Sequence, residues 1–245
     1  MTKLKKIGNS FFITNKVKFL GAKIDKKSII NSLDFSLKMS FGEGFHRKHR
    51  SGGSIIRNQI EIFSNAFQGK LSEYCVVDFF KKNGINIDDS PDTSVFGKGV
   101  WDSSDLTHNS KRINIKSCSF FSNLVLLETK DWNTNGQYIP NLKHGDSVYD
   151  YFILVRIKDD IKLMFNNIDY RQKFLEKKIR DKIELTDFYY DIPGYFTTKT
   201  LIHIIGKKYI IPKDSLLNGK VKMDADNYYI QSGNLRCISH LVKEL

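Results

Sequence analysis

Apolar and polar residues alternate at the strand period over Ile113-Asn114-Ile115-Lys116, just after Asn109-Ser110, a dipeptide suited to a two-residue turn. The pattern predicts a β-hairpin whose first strand includes Asp105-Leu106-Thr107-His108. With the turn at Asn109-Ser110, Asp105 lies opposite Asn114, and Lys116, two residues further on, shares that face. Continuous apolar runs at Leu124–Leu127 and Tyr151–Ile157 predict further strands, the first buried and central. Phe11-Phe12-Ile13, Leu201–Ile205 and Tyr209–Ile211 also have strand character. Helical spacing covers Lys27–Lys38 and residues 170–184, where six cations lie opposite Phe174, Leu175, Ile179 and Ile183. A helix capped by Ser54 runs through Ile55, Ile56, Ile60, Ile62 and Phe63, and another fills residues 69–82, carrying Leu71, Tyr74, Cys75, Val77 and Phe79 and closed by Asn83-Gly84. Asn135-Gly136, Pro140 and Gly145 mark a long loop over 133–147. These elements predict an α/β (α+β) chain with a mixed central β-sheet flanked by helices.

With 245 residues, 40% of them hydrophobic and 13% aromatic, the chain is long enough for one sizeable packed domain. Charge adds a second theme. The net charge is +12, and residues 1–38 hold nine lysines against Asp25 and Asp34. That bias predicts a basic N-terminal arm or lobe over 1–45, followed by a core over 46–245 with a β-rich C-terminal extension, or one domain throughout. A folded chain this basic suits a polyanionic partner, because phosphate neutralisation releases condensed counterions. The most pointed basic stretch is His46-Arg47-Lys48-His49-Arg50-Ser51-Gly52-Gly53, followed by Arg57, with no acid between Glu43 and Glu61. Its glycines let backbone N–H groups approach phosphate, and its arginines suit bidentate contacts, so it is the expected DNA-contacting loop. Cys75, Cys118 and Cys237 lie far apart, arguing against a disulfide scaffold or zinc site and for a reducing cytoplasm. The first residues lack the apolar run of a secretion signal, and no stretch of about 18 apolar residues predicts a membrane span.

The hairpin gathers a carboxylate (Asp105), an amide oxygen (Asn114) and an ammonium (Lys116). Phosphodiester hydrolysis uses such a set: oxygen ligands for Mg²⁺ and a lysine to orient water and steady phosphorane charge. Asp105, the Ile113–Ser117 run and the upstream Gly69-Lys70-Leu71-Ser72-Glu73 resemble the PD-(D/E)XK nuclease superfamily, and within it type II restriction endonucleases. The resemblance spans roughly residues 60–160 and implies a restriction-endonuclease-like core. It implies Mg²⁺ held by Asp105, Asn114 and Glu73, catalysis by these with Lys116, double-stranded DNA as substrate, and a homodimer with one site per strand. Asn114 stands where the family pattern has an acid, and no proline precedes Asp105. Other placements are Asp102 re-aimed by a bulge, and Glu128-Thr129-Lys130 after the 124–127 run. Pro91-Asp92 reads as part of a polar turn with Asp88–Ser90. The plain structural account makes Asp105 and Lys116 an exposed cross-strand ion pair.

Overall fold

A computed structural model of the chain describes residues 1–42, 58–87, 91–93, 104–145, 147–165, 168 and 173–245. It is an α+β fold. In chain order, β1 (Lys5–Ile7), β2 (Ser10–Phe12) and β3 (Ala22–Lys23) lead into α1 (Lys26–Phe41) and α2 (Gln59–Lys82). Then come β4 (Leu106–His108), β5 (Lys111–Ser119), β6 (Leu124–Glu128) and β7 (Tyr151–Lys158), followed by α3 (Ile161–Phe165) and α4 (Leu175–Glu184). The remainder is β8 (Tyr189–Thr197), α5 (Thr198–Gly206), β9 (Ile210–Ile211), β10 (Leu216–Leu217), β11 (Val221–Lys222), β12 (Asn227–Gln231) and α6 (Ile238–Glu244).

The central sheet has five strands in the order β3-β8-β7-β5-β4, mixed because β5 and β7 run parallel while their outer neighbours run antiparallel. A three-stranded sheet orders β6-β12-β9, and a small four-stranded sheet orders β1-β2-β10-β11. Side-chain alternation divides the interior into two cores. Ile113, Ile153, Val155 and Ile157 face the layer of α1 and α2, where Phe63, Phe67, Leu71 and Phe80 are buried. Phe152, Leu154 and Phe196 face the opposite way, toward Leu124, Trp132, Tyr149 and Ile230.

Helix α2 is one continuous 24-residue element, where the sequence predicts two. Its start is a capping box: the Asn58 side chain accepts from the Glu61 N–H, and Glu61 accepts from the Asn58 N–H. Gly69 falls inside this helix, where it is accommodated without a break. Residues Leu201–Ile205, predicted as a strand, belong to α5, burying Leu201, Ile204 and Ile205 while Ile202 and His203 stay exposed. A five-residue apolar run fits either period, and here the helical one wins. The 124–127 run forms the edge of the three-stranded sheet rather than a central strand, with Leu126 on its outer side. Strand β8 is unexpected because Pro193 and Gly194 interrupt it; they sit where the register with β7 slips between Leu154 and Arg156. Gly194 has φ 153°, and a side chain there would strike the Arg236 carbonyl.

Residues 1–42 are woven into both cores. Leu4 and Phe11 lie in one, and Ile24, Ile29, Leu33 and Leu37 in the other. Arg156, fully buried, ties this segment to the sheet. It makes two bonds to Asp191 (2.8 and 2.5 Å) and donates to the Val17 and Lys18 carbonyls and to Asn123 Oδ1. A buried cation stripped of its counter-ion is left uncompensated, so Asp191→Ala is expected to cost about 3–5 kcal/mol. Chemical denaturation checks this, and a loss under ~1 kcal/mol contradicts the assignment.

Candidate active site

The turn behaves as its residues dictate. Asn109 and Ser110 both have positive φ (47° and 60°), as a two-residue type I′ hairpin requires. The ladder pairs Leu106 with Ile113, Thr107 with Arg112 and His108 with Lys111. That register, continued one step, puts Asp105 opposite Asn114. Regular pairing stops at Leu106, and the Asp105 carboxylate turns in to accept the Ile115 backbone N–H. A side-chain oxygen thus fills the position a β4 carbonyl would have held. Asp105 is half-buried at this open edge.

Asn114 and Lys116 lie on the face of β5 turned away from α2. Their neighbours Ile113 and Ile115 pack with the helical core, and Gln68 of α2 reaches Ser117 on that side (3.2 Å). Asn114 is paired in register with Phe152 and is only 7% exposed. Its side chain lies near the Tyr149 hydroxyl and slightly offsets the rise in that group's value, while its Oδ1, also buried, has no hydrogen-bond partner among the described residues. A buried amide oxygen left without a donor costs stability, so its retention calls for a further partner.

Asp105 and Lys116 act on each other. Burial pushes the Asp105 carboxyl above its ordinary value, opposed by the Lys116 charge, the Ile115 N–H and, more weakly, Lys70. Burial likewise pulls the Lys116 ammonium below its ordinary value, opposed by Asp105 and by Asp131. The Tyr149 hydroxyl is raised, first by burial and then by the nearby Asp105 charge. The Arg112 guanidinium, two residues before Asn114, lies 5.2 Å from the centre of the Tyr149 ring. Both side chains are half-buried, and partial desolvation outweighs their mutual attraction in setting the two shifts.

Glu73 projects from α2, in the layer covering the opposite face of the sheet, and sits well inside that helix rather than in its first turn. There it is ion-paired to buried Lys70 at 2.6 Å, and Lys70 also donates to the Asp92 carbonyl. Glu128 lies 3.8 Å from Lys130 at the end of β6. His46, Arg47, Lys48, His49, Arg50, Ser51, Gly52, Gly53 and Arg57, together with Asp102, lie outside the described residues.

Asp131, Tyr149 and Arg112 join the site without having been singled out from sequence. Arg112 was reachable, since strand alternation puts 112, 114 and 116 on one face. Asp131 and Tyr149 were not, because tertiary packing brings them in. Trp132, beside Asp131, packs against Tyr138, Tyr149 and Phe152, with ring centroids 5.1, 6.1 and 5.4 Å away. Among the described residues no cluster of three His, Cys, Asp or Glu side chains forms a metal site. The set suited to a hard cation is therefore mixed: the Asp105 carboxylate and the free Asn114 Oδ1. Compared with known proteins, the chain matches no family model, no curated protein and no solved structure.

Because the Asp105 value is raised on folding from 3.8, the folded chain binds that proton more tightly than the unfolded chain. Its contribution to stability is full at acid pH and is lost as pH rises through the folded value. Asp105→Asn keeps an oxygen for the Ile115 N–H and removes this penalty. The variant is expected to gain stability over the native chain at pH 7, an advantage that vanishes near pH ~3.5. Urea denaturation at both pH values checks it; a difference independent of pH contradicts the assignment.

Proposed function

We propose that the chain is a nuclease that hydrolyses phosphodiester bonds with Mg²⁺. More particularly, we read it as a type II restriction endonuclease acting on double-stranded DNA, as the resemblance to the PD-(D/E)XK superfamily implies. One observation supports the reading: where β4 stops, the Asp105 carboxylate turns in onto Ile115 and feels the Lys116 charge, and Asn114 between them in sequence keeps a buried Oδ1 with no bond among the described residues. Asp105 and Asn114 are the oxygens that would hold the cation. When bound, Mg²⁺ supplies charge stabilisation for the phosphorane and the leaving 3′-oxygen.

The chain's own groups do the rest. The Lys116 ammonium, made easier to deprotonate by burial, orients the attacking water and steadies negative charge on the phosphoryl oxygens. Asp131, on the Lys116 side of the cluster, helps hold that ammonium in place. The Tyr149 hydroxyl lies beside the Asn114 amide and helps shield the cluster from water. A two-fold homodimer would give one site to each strand of a palindromic target.

A second reading has a specific basis. Asn114 replaces the second acid of the family pattern, and Glu73 is engaged by Lys70, which favours a DNA-binding protein with a decayed site. A structure-specific repair nuclease would use the same residues on branched DNA. Incubation with plasmid and Mg²⁺ separates the three: discrete fragments mark a restriction enzyme, cleavage of flaps or junctions a repair enzyme, and a salt-sensitive band shift alone a binder. Lys116→Ala is expected to lower cleavage by about 10²–10⁴-fold with DNA binding retained. Unchanged cleavage by this variant sinks the assignment. In a decayed site, Asn114→Asp creates cleavage that the native chain lacks.

A further inference from the structure

The excess positive charge does not stay with the N-terminus. Residues 1–12 and 207–222, from the two ends of the chain, hold eight lysines and one acid, Asp214. The fold joins them in one small sheet, because β2 runs parallel to β10, with Ser10 beside Leu216 and Phe11 beside Leu217.

Register fixes which side chains share a face. On the inner face Phe11 and Leu217 pack into the core around Trp132 and Phe152. On the outer face Lys5 pairs with Phe12, Ile7 with Ser10, and Leu216 with Lys222. Lys5 therefore stands on one edge strand and Lys222 on the other, with Lys220 at the turn beside it, all three exposed. Three strand spacings separate the edges by about 14 Å, close to the width of a B-DNA major groove. Between them lie half-buried Phe12 and Leu216, with exposed Ile7 on the same edge strand as Lys5, an apolar floor suited to deoxyribose. Lys222 is paired with Asp214 at 2.9 Å, but both are exposed, so a phosphate can compete for that ammonium.

We infer that the outer face of the β1-β2-β10-β11 sheet binds the phosphate backbone of duplex DNA, holding the substrate without reading its sequence. The choice of DNA as polyanion rests on the nuclease reading; the existence of a polyanion surface does not. A membrane surface fits less well, because these lysines lie on a strand platform with no broad apolar helix face beneath them.

The test is binding of a labelled 20-base-pair duplex by fluorescence anisotropy, in EDTA and over a range of salt concentrations. Each lost phosphate contact removes about 0.9 from the slope of log K against log salt. The triple variant Lys5→Gln, Lys220→Gln, Lys222→Gln is expected to make that slope shallower by about 2–3. A triple change of equal charge on the other basic region, Lys173→Gln, Lys177→Gln, Lys178→Gln, is expected to leave it within about 1. Equal losses from the two variants mean that net charge alone drives binding, and overturn the proposal. An unchanged slope accompanied by self-association identifies the lysines as guards of exposed strand edges, and also overturns it. Equal binding to duplex RNA removes DNA as the intended partner. If the protein cuts no DNA yet the slope falls as expected, the surface stands and the nuclease reading fails alone.

Discussion

Strand β5 lies between two apolar layers, so each of its side chains is committed to one of them. Ile113 and Ile115 are taken by the α2 layer. Arg112, Asn114 and Lys116 must then point into the other layer, among Tyr149 and Phe152. Polar groups driven into such a place need partners. They find them at the edge of the sheet, where β4 is only three residues long and Asp105 turns in behind it. A longer β4 would satisfy Ile115 with a backbone carbonyl and leave the Asp105 carboxylate elsewhere. The shortness of one edge strand is thus what creates the cluster.

That arrangement is held from behind. β7, the parallel partner of β5, carries Arg156, whose guanidinium collects Asp191 of β8, Asn123 of the β5–β6 turn and two carbonyls of the N-terminal segment. Asn123 in turn accepts from Val17 and Ser232, and Gln231 accepts from the Thr14 and Asn15 amides. These buried polar links hold the two ends of the chain against the central sheet. The same convergence of ends assembles the basic platform of β1, β2, β10 and β11.

Local chemistry was legible in the sequence where it alone decided the structure. Asn109-Ser110 tolerates the left-handed backbone that a tight hairpin needs, so the turn and the register of Leu106–His108 on Lys111–Ile113 followed from a few residues. The α+β class followed from the same periodicities. Long-range packing was not legible. The five apolar residues from Leu201 fit a strand as well as a helix, and only the core decided between them. Pro193 hid β8 because its missing N–H is tolerated at a bulge that no local pattern reveals. Glu73 was read beside a helix start at Gly69, but the true cap at Asn58 leaves it mid-helix, where Lys70 engages it. Asp131 and Tyr149 reach the cluster through the aromatic packing around Trp132, which has no spacing to read.

The central claim is that Asp105 and the bare oxygen of Asn114 together receive a divalent cation beside Lys116. Anomalous diffraction from crystals grown in Mn²⁺ tests it most directly. The account predicts a single strong peak about 2.0–2.4 Å from an Asp105 carboxylate oxygen and from Asn114 Oδ1. A Mn²⁺ peak ligated elsewhere, with Asn114 Oδ1 still unbonded, contradicts it.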